Sequence, residues 1–216
     1  MTFMDAMITP PVRRRGRPPK NPEGRLETRE LLLRAGVAAL TEKGFAATGL
    51  DDILGRVGVP KGSFYHYFDS KETFGAALIE RYGAYFAGKL ARHFDNTALP
   101  PLARLHAFID DAKAGMARYA YQRGCLIGNL GQEMGALPES YRAQLGEVFA
   151  DWQGRVARCL EAARAAGEIA ADADCPRLAA FFWIGWEGAV LRAKLEHSPL
   201  ALDIFTEVFF AGLPRR

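Results

Sequence analysis

The segment from Pro60 to Phe68 combines hydrogen-bond donors with aromatic side chains at the spacing of a short helix. Its aromatic residues on one face, which we expect to be buried, are Phe64, Tyr67 and Phe68. The side chains left to project outward are Lys61, Ser63, Tyr65 and His66. Such donors suit phosphate oxygens and the edges of bases. We therefore interpret this segment as a recognition helix that contacts DNA.

A second candidate for contact with nucleic acid is the basic N-terminal arm, residues 1–26. It holds six basic side chains against two acidic ones, which makes it +4 in a chain whose net charge is +3. Five prolines interrupt any hydrophobic period, so we expect the arm to be disordered on its own. The run Arg15-Gly16-Arg17-Pro18 resembles the core of an AT-hook, in which arginine lies in a narrow minor groove. We favour a minor-groove arm, with a solvated basic tail as the alternative.

One cysteine stands where its thiol is a candidate nucleophile. The three cysteines, Cys125, Cys159 and Cys175, include no Cys-x-x-Cys pair, so neither a disulfide framework nor a structural zinc site is expected. Cys125 opens a predicted helix, where the helix dipole favours the thiolate, and Asn129 follows one turn later. The alternative is that Cys125 is a small buried hydrophobic residue, which we expect of Cys159 and Cys175.

Metal-dependent and enzymatic chemistry are not indicated. The four histidines include no pair at the i, i+4 spacing of a helical metal site. Glu133 and Glu187 are not fixed beside a nucleophile, and no general base stands at a recognisable spacing from Cys125. We therefore expect a protein that is not an enzyme and that needs no metal and no cofactor.

The elements that must position these residues are helices. Apolar residues recur at three- and four-residue spacing without strand-like alternation, so we predict an all-α fold. We divide the chain into the arm at 1–26, a three-helix helix-turn-helix DNA-binding domain at 27–74, and a helical bundle at 75–216 for effector binding and dimerisation. The predicted helices are 28–43, 48–57, 60–68, 70–94, 101–122, 125–135, 138–166, 176–196 and 199–211.

Capping residues set the predicted helix starts in the DNA-binding domain. Thr48 and Asp51 have the spacing of a capping box, and Gly58 ends the helix that they begin. Asp69 and Glu72 have the same spacing and are predicted to start the long fourth helix.

The run Val59-Pro60-Lys61-Gly62-Ser63-Phe64-Tyr65-His66-Tyr67-Phe68, followed by Ser70-Lys71-Glu72, is very similar to the helix-turn-helix signature of the TetR family of bacterial transcriptional regulators. The similarity covers about Thr28 to Phe74, and the helical remainder fits the family's layout more loosely. It implies phosphate contacts near the start of the first helix and base contacts from the recognition helix. With the arm, the residues expected to contact operator DNA are Arg13, Arg14, Arg15, Arg17, Thr28, Thr48, Lys61, Gly62, Ser63, Tyr65, His66 and Lys71.

The helix at 176–196 is apolar on all its faces, with Glu187 as its only charge between Leu178 and Arg192. Such a helix must be covered on every side, so another subunit is expected to cover its outer face. The helix at 199–211 offers a second apolar strip. The resemblance implies a four-helix dimer interface from these two helices. A two-fold dimer sets its recognition helices about 34 Å apart and predicts a palindromic operator.

The runs Gly124-Cys125-Leu126 and Arg192-Ala193-Lys194-Leu195 resemble those of TetR-type repressors that sense electrophiles such as N-ethylmaleimide, quinones and hypochlorite. Acrylate-responsive repressors look at least as similar. The resemblance implies Cys125 as sensor and Lys194 as its neighbour. An unsaturated acid needs a cation for its carboxylate and apolar walls, and its β-carbon is open to a thiolate. The residues expected to bind such an effector are Tyr82, His106, Arg118, Tyr119, Cys125, Asn129, Trp183, Trp186 and Lys194.

The sequence therefore predicts a homodimeric, ligand-responsive repressor. No signal peptide is recognised, and the most apolar run, at 178–186, is shorter than the roughly 20 residues that span a bilayer, so a cytoplasmic protein is expected. Three alternatives stay open: an architectural DNA-binding protein without effector response, a repressor regulated by cysteine oxidation, and an activator, since polarity depends on operator position.

Overall fold

The computed structural model describes residues 22–215, with side chains from Gly24 onwards. Within this range the chain forms nine α-helices and one 3-10 turn, and no strand. The predicted all-α fold is confirmed. The helices are α1 (Pro22–Lys43), α2 (Leu50–Val57), α3 (Lys61–Phe64), α4 (Lys71–Phe94), α5 (Pro101–Ala117), α6 (Leu126–Gln132), α7 (Ser140–Ala165), α8 (Cys175–Glu196) and α9 (Leu200–Ala211), with the 3-10 turn at Met134–Ala136.

The N-terminal three helices pack on the first turns of α4 through aromatic rings. Phe64 is fully buried, and its ring meets that of Phe74 edge-on, with centroids 5.4 Å apart. Phe68 also packs on Phe74, at 4.7 Å. Gly36 lets α1 approach α4 closely, because a Cβ there would lie 2.7 Å from the Phe74 ring. The start of α4 is therefore part of the same core as the recognition segment.

The predicted cap of α2 is wrong by one residue. Gly49 is the N-cap, and its N–H donates to the Asp52 carboxylate at 3.3 Å. Thr48 is only 1% exposed, and its hydroxyl donates to the carbonyl of Gly44 at 2.5 Å instead. The hydroxyl therefore stabilises the turn before α2 and does not cap the helix. Gly58 ends α2 in the left-handed conformation, with φ of 66°, as predicted.

The predicted cap of α4 is also wrong. Ser70 is the N-cap: its hydroxyl accepts from the Thr73 N–H at 3.0 Å, and the Thr73 hydroxyl accepts from the Ser70 N–H at 2.9 Å. Glu72 is thereby left to accept from the Ser140 hydroxyl at 2.7 Å, which joins α4 to α7. Ser70 and Thr73 thus form the reciprocal pair of hydrogen bonds of a capping box, in which an acidic residue usually takes the place of the threonine.

Among the other boundaries that differ from the prediction are the start of α1 and the end of α5. Helix α1 begins at Pro22, so residues 22–26 are helical and do not belong to a disordered arm. Proline suits a first helical turn because its missing N–H has no partner there. Helix α5 ends at Ala117 and not at 122, because Ala120 and Tyr121 adopt positive φ angles of 48° and 58°.

The second part of the described chain surrounds an aromatic core. The ring of Trp152 on α7 lies 4.5 Å from that of Phe86 and 5.1 Å from that of Trp183. Helix α4 runs without a break across the predicted domain boundary at 74/75, from the helix-turn-helix core into this aromatic core. Among the described helices, none has both the length and the apolar character needed to cross a membrane.

Candidate DNA-binding surface and effector cavity

Burial of the aromatic rings of the recognition segment leaves its polar side chains on the outside. Lys61, Gly62, Tyr65 and His66 are exposed, and Ser63 is half-buried. This is the division of faces that the sequence predicted. Helix α3 itself is a single turn of four residues, and hydrogen-bonded turns carry the chain on to Phe68.

Helix α1 contributes a further cation beside this surface. The guanidinium of Arg25 donates to the backbone carbonyl of His66 at 3.1 Å, and Arg29 lies 5.2 Å from the centre of the Phe68 ring. Lys61 forms an exposed ion pair with Asp51 of α2 at 3.3 Å. Arg25 and Arg29 of α1 therefore lie directly beside the recognition segment.

Three residues predicted to contact DNA have other roles in the structure. The prediction is wrong for the Thr48 side chain, since it is buried. The hydroxyl of Thr28 donates to the Gly24 carbonyl at 2.9 Å within α1. The ammonium of Lys71 donates to the Phe45 carbonyl at 3.1 Å and lies 4.3 Å from the centre of the Phe45 ring. Four further predicted contacts lie outside the described residues, namely Arg13, Arg14, Arg15 and Arg17.

A cavity of about 100 Å³ lies between α4, α5, α8 and the turn before α6. Four of the predicted effector-binding residues line it, namely Tyr82, Tyr119, Cys125 and Trp186. Sequence reasoning missed the other lining residues, which are Thr41, Tyr85, Phe86, Lys89, Ala112, Gly115, Met116, Arg123, Gly124, Glu187 and Val190. The walls are therefore largely apolar, with two cations and one carboxyl group among them.

Five predicted effector-binding residues do not line this cavity. His106 stacks on Phe210 of α9 with ring centroids 3.8 Å apart, and Arg118 is exposed at the end of α5. Trp183 packs into the aromatic core behind the cavity wall. These placements correct the prediction, because helical spacing alone did not reveal which face of each helix turns toward the cavity.

The remaining two, Asn129 and Lys194, bind the end of α1. The amide of Asn129 donates to the carbonyls of Leu40 and Thr41, at 3.0 and 3.3 Å, and the ammonium of Lys194 donates to the carbonyl of Thr41 at 3.1 Å. The backbone N–H of Gly124 donates to the same carbonyl at 3.1 Å. Donors from the second domain thus satisfy the free carbonyls at the C-terminus of α1, which also favours cations there.

Arg123, beside these contacts, joins the cavity to the helix-turn-helix. Its Nε and Nη2 donate to Oε1 of Glu42 on α1, at 3.0 and 2.7 Å, and its guanidinium lies 3.9 Å from the centre of the Tyr119 ring. Oε2 of Glu42 accepts from Nη2 of Arg56 on α2 at 2.9 Å. Burial acts to raise the pKa of Glu42, but hydrogen bonds from Arg56 and Arg123 outweigh it and hold that pKa below its ordinary value.

The second cation of the cavity, Lys89, is also paired. Its side chain is buried, with the residue 8% exposed, and its ammonium lies 3.3 Å from Oδ2 of Asp111 on α5. Nε2 of His93 meets the same oxygen at 2.9 Å. Burial lowers the pKa of Lys89, and the charge of Asp111 opposes that shift.

The thiol of Cys125 is buried against a carboxyl group. Its sulfur accepts from the Gly128 N–H at 3.5 Å at the start of α6, as a helix N-terminus allows. Burial nevertheless raises the pKa of Cys125 well above its ordinary value, and the charge of Glu187 acts in the same direction. Desolvation therefore opposes the thiolate that the helix dipole was expected to favour.

Glu187 is the carboxyl group of this cluster. Burial raises its pKa to about 7, and its Oε1 has no hydrogen-bond partner among the described residues. Tyr82 stands on the other side of Cys125, and burial raises the pKa of its phenol well above the ordinary value. A signal for Glu187 existed in the sequence, since it is the lone charge in an apolar stretch of α8. Within residues 22–215, no three side chains of His, Cys, Asp or Glu are grouped to hold a metal ion.

Two family profiles match the chain over the parts just described. The profile for bacterial regulatory proteins of the tetR family matches residues 32–78, and that for the tetracyclin repressor-like C-terminal domain matches residues 101–209. The chain belongs to the TetR family. Members of this family are DNA-binding transcription factors and not enzymes. They bind operator DNA and small-molecule ligands and work as dimers.

Individual relatives agree with this assignment. The transcriptional regulator AcuR of Cereibacter sphaeroides is 54% identical over 91% of this chain and 89% of its own length. The repressor NemR of Escherichia coli K12 is 30% identical over 80% of this chain and 86% of its own. A crystal structure of a regulatory protein TetR from Rhodobacter sphaeroides, also 54% identical, matches with a TM-score of 0.84 over 85% of this chain and 97% of that chain. The chain is therefore a TetR-type transcriptional repressor in fold and family.

The raised pKa of Glu187 predicts how stability depends on pH. Between its ordinary pKa of 4.5 and about 7, the folded protein retains a proton that the unfolded chain releases. The free energy of unfolding therefore falls as pH rises through this window, by up to about 3 kcal/mol per subunit from this group. Glu187→Gln should remove that decline, measured by urea unfolding between pH 5 and 8 at fixed protein concentration. Glu147→Gln, an exposed change on α7, is the control, and parallel curves for wild type and Glu187→Gln would contradict the assignment.

Proposed function

We propose that the chain is a homodimeric repressor that a small unsaturated acid, with acrylate as the first candidate, releases from a palindromic operator. The observation that carries the proposal is a small cavity with apolar walls and two cations, Lys89 and Arg123, set against α4. Such a lining suits an anion with a short apolar body. The resemblance of the Cys125 and Lys194 segments to acrylate-responsive repressors supports the same ligand class.

The state of the thiol favours reversible binding over covalent capture. Alkylation and oxidation both need the thiolate, and burial keeps Cys125 protonated at neutral pH. An unsaturated acid in this cavity is then held by its carboxylate and its apolar contacts. Capture of N-ethylmaleimide or an oxidant by Cys125 is the alternative that the test below separates.

Helix α4 is the route by which the cavity influences DNA binding. Its first turn shares the core of the recognition segment through Phe74, and its middle turns contribute Tyr82, Tyr85, Phe86 and Lys89 to the cavity. A ligand that displaces the middle of α4 therefore also displaces the recognition segment relative to that of the second subunit. Operator binding is lost when the separation of the two segments no longer matches the half-sites.

We propose that the second subunit binds α8 and α9. Seven of the ten exposed large apolar side chains among the described residues lie on these two helices. They are Phe181, Ile184, Leu191, Leu195, Leu200, Ile204 and Val208. An apolar surface of this extent needs a partner in water.

The dimer surface is tested by Ile184→Glu, since Ile184 is 75% exposed and lies on α8. A two-fold interface presents each substitution twice, so two unpaired charges would be buried and the dimer should dissociate at micromolar concentration. Light scattering coupled to size-exclusion chromatography measures the mass. Leu99→Glu, in the connection between α4 and α5, is the matched control and should stay dimeric. A dimeric Ile184→Glu protein would place the interface elsewhere.

The DNA contacts are tested by one phosphate-type and one base-type change. Lys61→Ala should weaken binding to operator and random DNA alike and reduce the salt dependence by about one unit of slope. Tyr65→Ala should cost about 1–3 kcal/mol on the operator and little on random DNA. Fluorescence anisotropy at several salt concentrations measures both. Lys113→Ala, which removes an ion pair with Asp203 in the second domain, is the control. An architectural protein would show no operator preference in any variant.

The effector is tested by anisotropy on the upstream promoter DNA, titrated with acrylate, propionate and N-ethylmaleimide. Wild type and Cys125→Ser should both release the operator with acrylate and rebind after dialysis, and propionate, which lacks the double bond, should act more weakly. Cys159→Ser, a buried thiol outside the cavity, is the matched control. Release that needs Cys125 and survives dialysis would establish covalent sensing instead. A specific complex that none of the three compounds dissociates would refute the proposed effector class.

A further inference from the structure

Arg123 belongs to two sites at once. It lines the cavity, and the same guanidinium holds Oε1 of Glu42 on α1 through two donors, at 3.0 and 2.7 Å. The other oxygen of Glu42 holds Arg56 of α2 at 2.9 Å. Two arginines, one from the cavity and one from the helix-turn-helix, therefore share a single carboxylate. We call this chain of three residues the Arg123–Glu42–Arg56 bridge.

The two cations of the cavity, Lys89 and Arg123, are each paired with a carboxylate. They differ in the partner that this carboxylate keeps when a ligand binds the cation. Asp111, if it loses Lys89, keeps a histidine, His93, as its partner. Glu42, if it loses Arg123, keeps the guanidinium of Arg56, which is the stronger partner for a carboxylate. Because an unpaired, partly buried carboxylate is costly, Arg123 is the cation that is more readily released to a ligand. Its planar fork also matches a carboxylate in two parallel hydrogen bonds.

We propose that the carboxylate of the effector takes Arg123 from Glu42, and that the loss of this contact weakens the attachment of α1 and α2 to the second domain. The inference rests on the proposed function, since it assigns the anion-binding residue and the route of regulation in that cavity. The neighbouring backbone supports the route: the N–H of Gly124 donates to the carbonyl of Thr41, so movement of Arg123 acts on α1 at adjacent residues. Thr41 itself lines the cavity.

The bridge predicts the direction in which two substitutions change the affinity for acrylate, and a merely structural role of Glu42 and Arg56 does not. Glu42→Gln removes the charge that competes with the effector for Arg123, so acrylate should bind the free dimer several-fold more tightly. Arg56→Gln leaves Arg123 as the only partner of Glu42, so acrylate should bind several-fold more weakly. Neither Glu42 nor Arg56 lines the cavity. Opposite shifts from two residues outside the cavity are the signature of competition for one carboxylate.

The experiment combines acrylate titration of the free dimer by calorimetry with operator anisotropy in the absence and presence of saturating acrylate. In Glu42→Gln, the effector-free operator Kd should rise at least fivefold, and the ratio of operator Kd with and without acrylate should fall below a third of the wild-type ratio. Coupling between two sites is typically 5- to 150-fold, so a loss of this size is measurable. Arg123→Gln should lose acrylate binding.

The matched control is Glu30→Gln. Glu30 also lies on α1 and also forms an ion pair between helices, with Arg81 of α4, but it does not line the cavity. This variant should keep the wild-type ratio and the wild-type acrylate affinity. Circular dichroism and mass measurements confirm that each variant is folded and dimeric. If Glu42→Gln does not fold, Arg56→Gln carries the test: its acrylate affinity should fall several-fold relative to Glu30→Gln, and an unchanged affinity would refute the bridge.

The bridge is refuted if Glu42→Gln keeps the wild-type ratio, if Glu30→Gln lowers the ratio as much, or if Arg56→Gln and Glu42→Gln shift acrylate affinity in the same direction. Failure of the proposed function is distinct: wild type would then not bind acrylate at all. The effector-free operator Kd of Glu42→Gln still decides the bridge in that case, with a rise of at least fivefold in its favour and an unchanged value against it.

Discussion

The carbonyl end of α1 is the point on which the attachment of the DNA-binding unit depends. A helix leaves its last carbonyls without helical partners, and at this end three donors come from the second domain: a backbone amide, an asparagine amide and a lysine ammonium. Glu42, the next residue along α1, adds an ion pair in the same direction. The attachment of α1 to the second domain therefore depends in part on polar contacts, which a bound ligand is able to alter.

The hydrophobic cores on both sides explain why the few polar contacts at the end of α1 are important for the attachment of the DNA-binding unit. Phe74 packs the recognition segment against α4, and Gly36 brings α1 close to the same ring, so α1, α3 and the start of α4 share one core. The rings of Phe86, Trp152 and Trp183 hold the middle of α4 in the second domain. Close-packed cores of this kind resist internal change, so adjustment is concentrated where polar groups join the two parts.

In the cavity, burial influences the charge of a side chain more strongly than its position at the end of a helix does. Cys125 has the helix N-terminus that the sequence pointed to, and yet its thiol is held protonated by desolvation and by the neighbouring Glu187. The cations Lys89 and Arg123 lie in the same cavity, each paired with a carboxylate on another helix. Pairing across helices, and not the local dipole, sets which groups are available to an anionic ligand.

The sequence by itself determined the all-α fold, because that rests on the local spacing of apolar residues, and it indicated the helix-turn-helix and the family through the resemblance of residues 59–72 to the TetR signature. The aromatic face of Phe64, Tyr67 and Phe68 with its outward donors is readable from six to nine consecutive residues. Helix caps were less certain: Thr48 and Asp69 have the right spacing, but the turn before α2 and the pair Ser70 and Thr73 took their places. Several side chains compete for the same backbone amides, and spacing does not rank them.

Only the tertiary structure decided which side chains share the cavity. Four of the predicted residues line it, namely Tyr82, Tyr119, Cys125 and Trp186. His106 and Lys194 were predicted on the same grounds, but their side chains contact Phe210 and the carbonyl of Thr41 instead. Arg123 and Glu42 are 81 residues apart, and nothing in either local sequence indicates the other. The rotation of each helix about its axis depends on the packing of all its neighbours at once, and that information is not contained in the periodicity of any single helix.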